Sequence, residues 1–477
     1  MRYLALILAA LTSAEMQAFG LAPRLVVSVS IDQLRTDYME AFAPLYGSDG
    51  FRRLMDQGRV YDCASYPYTP VDRASAAATL STGSTPYYNG IISEGWLNRE
   101  TLQLSNCTLD DKNMPSPVRL LTSTLGDEMK LSSDGAAIVY SFAADRESAI
   151  LSAGHAANGA YWLDNDGQWC TSSWYAGKQA KWIDAYNVIS APAETPKTGK
   201  RKKKGKANPT NDRVVDASLQ AIIANAMGRD DVSDLLCITL SATKPDGTPV
   251  TRWQTDMESV YRSLDQSLAK LINGIEKQVP LDRVLFVFTS TGYTDDQPDN
   301  LERYHIPTGT FYINRTASLL NVYLGAIYGQ GRYVEACFNN EMYLDHRLIE
   351  QKRVAISEVL THCSEFLIQC AGVADVYTSD RLMAGNSDIT KVRAGFNPSL
   401  SGDIIVDVAP GWKLLNEDNH QTYIPRAGFI PFPIVFMGNG MKAQHITTPV
   451  TVDHIAPTVA KAIRIRAPNA CTVEPLF

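Results

Sequence analysis

Three short runs of aliphatic and β-branched residues constrain the fold most: Arg24–Ile31 (RLVVSVSI), Leu235–Leu240 (LLCITL) and Val284–Thr289 (VLFVFT). Runs of this kind predict strands covered on both faces, as in a parallel sheet. Each stops at polar residues: Asp32 after the first, Ser241 to Lys244 after the second, Ser290 to Tyr293 after the third. Open α/β sheets hold ligands at such carboxyl ends, which makes Asp32 a candidate site residue. Asp32 is equally well placed to cap a helix over Gln33–Met39. Further strands are expected at Val60–Tyr66, Ala136–Phe142, Ile404–Val408 and Ile434–Met437. Helices are expected at Gly50–Gly58, Leu120–Leu131, Asp216–Met227, Glu258–Gly274, Ala317–Tyr328, Glu350–Gln369 and Asp453–Ile463. In Glu258–Gly274 the residues Val260, Leu264, Leu268 and Leu271 fall at helical spacing. Strands alternating with helices predict a three-layer α/β/α sandwich around a mainly parallel sheet, one domain over 21–477 with cap insertions.

The stretch Tyr68–Thr101 organises the candidate site. Asp72 is an N-cap candidate, the Ala/Ser/Thr-rich run Ala74–Thr82 follows, and Gly83 closes it. A loop feeding the N-terminus of a small-residue helix is a good place for a phosphoryl oxygen and a nucleophile. The residue at the head of this helix is Arg73.

With 51 acidic and 44 basic residues the formal net charge is -7, which argues against nucleic acid as a partner. Met1–Gly20 has Arg2, the apolar run Leu4–Leu11 and small residues at Ala14 and Ala18. That pattern predicts a cleaved secretory signal at 1–20, with a buried N-terminal helix as the alternative. No transmembrane segment is expected, and the mature protein is expected to be periplasmic or otherwise secreted. Its eight cysteines show no zinc-ligand spacing and their pairing is not readable. His155, in a tight turn after Gly154, reads as a structural histidine. Between Pro196 and Pro209 lie six lysines and Arg201, a solvated loop with nothing to bury. The same charge would also suit an anionic polymer or surface.

Several motifs in chain order resemble the alkaline phosphatase superfamily, specifically its monomeric, secreted phosphatases with a threonine nucleophile, which share a type I phosphodiesterase/nucleotide pyrophosphatase-like fold. They are VSIDQLR (Val29–Arg35), TGSTP (Thr82–Pro86), WLNRET (Trp96–Thr101), AILSAGHAANGAYW (Ala149–Trp162), YRSLDQSLAKL (Tyr261–Leu271) and HIAPTVA (His454–Ala460). Active members use two zinc ions to ionise the nucleophile and to bind the phosphoryl and leaving oxygens. The resemblance puts a zinc-binding aspartate at Asp32. It puts the nucleophile at Arg73, which has no lone pair to offer. Phosphate-binding positions fall on Glu94, Asp145 and Glu147, and the remaining zinc positions on Lys244, Thr248, Thr291, Gly292 and, with a shift in spacing, His420. Asn89 takes the place of a turn histidine.

The expectation is therefore a degenerate phosphatase with a structural or binding role and no cofactor, the zinc pair lost. A single calcium or zinc ion on Asp32, Asp72, Glu94, Asp246, Asp295, Asp296 and His420 is the metal-bound alternative. An active hydrolase of phosphate or sulfate esters would need a rebuilt site with a nucleophile such as Ser75. Arg73 is expected in ion-pair contact with Asp32 or Glu94, since a buried carboxylate left without its metal is costly.

Overall fold

The computed structural model describes residues 21–175, 181–190, 209–243, 253–294, 305–385, 387–418, 420–423 and 430–477. The expected signal segment, nearly all of the Lys-rich loop, and Lys244, Asp246, Thr248, Asp295 and Asp296 lie outside these residues.

The long apolar runs form the middle of one large sheet. Its strands are β1 (Leu25–Asp32), β2 (Arg59–Ser65), β3 (Val139–Phe142), β4 (Gly159–Leu163), β5 (Trp169–Thr171), β6 (Asp234–Ser241), β7 (Val284–Ser290), β8 (Phe432–Gly438) and β9 (Gln444–Ile446). They are ordered β9-β2-β8-β7-β1-β6-β3-β4-β5, with Val450–Thr451 also pairing with β2. The run β7-β1-β6-β3-β4 is parallel throughout, while β8 and β5 run antiparallel to their neighbours.

β1 is buried on both sides because helices cover both faces. Leu25, Val27, Val29 and Ile31 pack with Tyr261, Leu264, Leu268 and Leu271. On the other face Val26 joins Ala76, Leu125, Met129, Ile455 and Val459. The helices used below are α1 (Thr36–Phe42), α2 (Arg73–Thr82), α3 (Leu125–Ser132), α4 (Arg146–Ala153), α5 (Pro209–Asn225), α6 (Trp253–Glu276) and α7 (Ile455–Ala462).

Some expected elements are corrected. Asp32 ends β1 and caps no helix, because α1 starts at Thr36 with Arg35 at its N-cap. The helix expected from Leu120 begins at Leu125, where Thr124 and Asp127 form a reciprocal capping box. The segment Glu350–Gln369 is two helices, His346–Gln351 and Ile356–Leu367, broken where Arg353 adopts φ 57°. Ile404–Val408 joins a separate four-stranded sheet with Val334–Phe338, Glu341–Leu344 and Val373–Thr378, which has its own apolar core.

That separate sheet lies in the chain between β7 and β8, and it is tied to the organising stretch. Thr69 N donates to Lys391 O at 3.1 Å, and Asn397 Nδ2 to Tyr87 O at 3.2 Å. The Arg99 guanidinium reaches both oxygens of buried Asp403, at 3.1 and 3.2 Å, and also the Ser401 carbonyl. Both Asp403 contacts come from Nη1 while Nη2 holds Ser401, so Arg99→Lys keeps the charge but cannot hold both partners in the same fork of nitrogens, and is expected to lower stability by about 1–2 kcal/mol in urea unfolding. An unchanged midpoint would show that the fork contributes nothing.

His155 is held on both sides: Nδ1 lies 2.9 Å from Asp127 Oδ2, and Nε2 lies 3.0 Å from Leu120 O. The hydrogen bond to Asp127 raises the His155 pKa against the opposing effect of burial. Burial pushes Asp127 up, but hydrogen bonds from His155 and the backbone of Thr124 and Ala156 bring it below its ordinary value. The histidine contribution is full below about pH 6.5 and is lost as pH rises through the raised pKa. The aspartate contribution is present above about pH 4 and is lost as pH falls through the lowered pKa. His155→Gln should therefore cost most between these limits, about 1 kcal/mol, with melting curves of both proteins converging on either side.

Candidate functional site

The site forms where the carboxyl ends of β1 and β7 meet the N-terminus of α2. Asp72 caps α2: its Oδ1 accepts from Ser75 N at 2.8 Å and its Oδ2 from Glu94 N at 2.7 Å. The Ser75 hydroxyl closes the reciprocal bond with Asp72 N at 3.1 Å, and Ser75 is fully buried. Gly83 ends the helix in the left-handed conformation, at φ 63°. This cap fixes the direction in which the first residue of the helix projects.

That residue is Arg73, and its guanidinium lies on Asp32. Nη2 and Nε donate to Asp32 Oδ2 at 3.0 and 3.3 Å, and Nε lies 3.8 Å from Asp145 Oδ2. The other Asp32 oxygen, Oδ1, accepts from Thr291 Oγ1 at 3.0 Å. Thr291 Oγ1 in turn accepts from Gln33 N at 2.9 Å. Both carboxylate oxygens of Asp32 are thus engaged by protein donors, and the side chain is 4% exposed.

Asp145 caps α4, accepting from Ser148 N at 2.8 Å, and Glu147 pairs with Arg146 at 2.7 Å. Burial opposes the charge of Arg73, but Asp32, Asp145, Tyr293 and Glu94 together hold its pKa above the ordinary value. Glu94 is pushed up to about 7 by burial first and then by Asp72, Glu147 and Asp145, with Arg73 pulling the other way. The cleft walls crowd Glu94 although its surface still reaches water, and that solvent access screens its charge, so it contributes little to stability. Burial likewise raises Asp145, against the pull of Arg73. Asp32, Asp72, Glu94, Asp145 and Glu147 face only two guanidinium groups here among the described residues, those of Arg73 and Arg146. Such a cleft disfavours an added phosphate dianion.

Of the positions that the resemblance assigns to zinc, Asp32, Thr291 and Gly292 lie together, while Lys244 and Thr248 lie outside the described residues. Asp32 and Thr291 are joined by a hydrogen bond. Gly292 follows at φ +68°, and a β-carbon there would stand 2.6 Å from the Tyr66 ring and 2.8 Å from Phe432. Tyr66 is anchored by its hydroxyl to Ser290 O at 3.0 Å. His420 is exposed, at φ 56°, beside the strand Gln421–Tyr423. Asn89 is a structural residue, donating to Ser84 O at 2.8 Å and accepting from Ile91 N at 2.9 Å. A zinc ion on Asp32 would have to displace Arg73 and Thr291 and would sit against a guanidinium. Among the described residues no group of three or more His, Cys, Asp or Glu is arranged to hold a metal ion. The described residues therefore do not fit a zinc pair.

Sequence reasoning found Asp32, Arg73 and the sign of their pairing. It missed Tyr66, whose ring fills the space beside Gly292, and Tyr293, which adds to the field on Arg73. A tyrosine 226 positions before its glycine carries no local signal for such a contact.

Residues 26–429 match the family model described as type I phosphodiesterase / nucleotide pyrophosphatase. The chain belongs to this family. It is 24% identical to the alkaline phosphatase PafA of Elizabethkingia meningoseptica, over 95% of this chain and 94% of that protein. It is 25% identical to the alkaline phosphatase PhoV of Synechococcus elongatus, over 94% and 91%. The crystal structure of wild-type PafA superposes with a TM-score of 0.80 at 22% identity, covering 95% of this chain and 98% of that one. The fold is thus that of the alkaline phosphatase superfamily, with the large sheet and its flanking helices in common.

Proposed function

We propose that this chain is a catalytically degenerate member of the family, a pseudophosphatase whose cleft serves a structural or binding role without a zinc pair. The observation that carries this reading is the Arg73–Asp32 pair. A guanidinium occupies the head of α2, where the resemblance assigns a nucleophile, and it neutralises the one metal-binding aspartate that remains. Arginine stays protonated and cannot attack phosphorus. Glu94, Asp145 and Glu147 add negative charge where the resemblance assigns phosphate-binding groups.

A rebuilt hydrolase is less well supported. Ser75 Oγ is held on the Asp72 backbone in the capping box of α2 and is fully buried, which denies it access to substrate.

The purified full chain, supplied with zinc and assayed on an aryl phosphate and an aryl phosphodiester, is expected to show no turnover above the uncatalysed rate. Elemental analysis is expected to find far less than one zinc per chain. Near-stoichiometric zinc together with turnover would overturn the proposal.

Export through an N-terminal signal at 1–20 is part of the same reading and rests on the composition of that segment. Its test is the N-terminal sequence of protein recovered outside the cytoplasm, expected to begin near Leu21. A start at Met1 would contradict it.

A further inference from the structure

The centre of the sheet carries hydroxyls where a doubly covered parallel sheet should carry hydrocarbon. By alternation, Val26, Ser28, Ser30 and Asp32 share the face of β1 that looks toward α2. The strand register lines these serines up with neighbours in two rows. Val287, Ser28, Cys237 and Ser141 form one, on β7, β1, β6 and β3; Thr289, Ser30 and Thr239 form the other, one step nearer Asp32.

The partners in these rows are incomplete. Ser30 Oγ lies 3.2 Å from Thr239 Oγ1, and Cys237 Sγ donates to Ser152 O on α4 at 3.5 Å. Thr289 is 4% exposed and Ser141 1%, yet neither hydroxyl has a protein partner. Burying a hydroxyl without a partner is costly; Thr289 stands beside Ser30 on the neighbouring strand, whereas Ser141 lies beyond β6 on the far side of Cys237.

Ser28 and Ser30 complete the picture. Although they lie on the central strand under helices, both keep part of their surface accessible, whereas Val26 below them and Asp32 above are buried. α2 and α4 pack over this face, Ala76 of α2 with Val26 and Ser152 of α4 on Cys237, and the two helices are joined by Ser81 Oγ donating to Leu151 O at 2.8 Å. The α2 residues are mostly Ala, Ser and Thr, and the Arg73–Asp32 pair stands at the upper end of the β1 row.

We infer that the space at these hydroxyls is a water-binding chamber, holding ordered water on Ser28, Ser30 and Thr289, which neighbour one another on β1 and β7. Below the ion pair the hydroxyls of Ser28, Ser30, Thr239 and Thr289 are uncharged and neighbour one another, and a water there would find two or more hydroxyl partners. The water completes the hydrogen bonding of the orphaned Thr289 hydroxyl. The chamber does not depend on whether the cleft above is catalytic.

Thr289→Val separates the alternatives by sign. If water occupies the chamber, replacing the hydroxyl with a methyl removes a bound partner, and Tm falls relative to wild type; Thr289→Ser, which keeps the hydroxyl, falls less. If the chamber is dry, Thr289→Val removes an unpaired buried hydroxyl and Tm rises, which overturns the inference. A high-resolution crystal structure of the full chain is expected to show solvent density within hydrogen-bonding distance of Ser28, Ser30 and Thr289. Featureless space at these hydroxyls would overturn it as well.

Discussion

Arg73→Thr is expected to lower stability by about 3 kcal/mol and to restore no phosphatase activity. The stability loss follows from what the substitution leaves behind. Asp32 keeps its Thr291 hydrogen bond but loses the only cation within 4 Å of its carboxylate among the described residues. Its side chain is 4% exposed, so water cannot replace the guanidinium cheaply. Removing one member of a buried pair typically costs about 3–5 kcal/mol, and the 30% exposure of Arg73 places this pair near the lower end.

A countervailing term exists but is smaller. A cation at the first turn of α2 opposes the helix dipole by about 0.3–1 kcal/mol, which the threonine would relieve. Charge-assisted hydrogen bonds to Asp32, at about 1.5–3 kcal/mol each, outweigh it. Activity stays absent because a hydroxyl at 73 still lacks the metal that would ionise it and faces Glu94, Asp145 and Glu147. Urea unfolding at neutral pH gives the first quantity and an aryl phosphate assay with added zinc the second. Wild-type stability in the variant would show that the pair does not stabilise Asp32, and turnover would show that the remaining residues still assemble a site.

How much of this was legible follows from the range of each signal. The buried strands announced themselves because β1, β6 and β7 are covered on both faces, which demands continuous apolar sequence. The α2 cap was legible because Asp72, Ser75 and Gly83 act within one helix. The strands Val334–Phe338 and Glu341–Leu344 were not, being short and bearing several half-exposed residues. The break at Arg353 was hidden because no glycine or proline marks it. In the site, Arg73 with Asp32 could be read from the signs of the substituted charges. The Thr291–Asp32 bond spans 259 positions and the Arg99–Asp403 pair 304, and nothing local encodes either.

Gly292→His, the substitution that would return a histidine to a position the resemblance assigns to zinc, is expected to cost more than any other change in the cleft, about 3–5 kcal/mol. Two independent causes add. Gly292 sits at φ +68°, where a residue with a side chain is strained by about 1–2 kcal/mol. Its β-carbon would also fall 2.6 Å from the Tyr66 ring and 2.8 Å from Phe432, both fully enclosed in the core. Tyr66 cannot simply rotate away, because its hydroxyl is tied to Ser290 O and its ring packs edge-on against Tyr68 at 5.6 Å. Making room therefore means displacing an aromatic cluster and leaving a buried hydroxyl unpaired. Pairing the change with Thr291→Asp would place a second carboxylate against Asp32 and worsen the balance unless a metal bound. Gly292→Ala isolates these two causes from the bulk of the imidazole, since it carries the backbone strain and the β-carbon clash alone. It should lose at least half as much as Gly292→His by urea unfolding. A Gly292→His protein as stable as wild type, with zinc bound at neutral pH, would mean that Tyr66 yields and that the cleft retains a metal site.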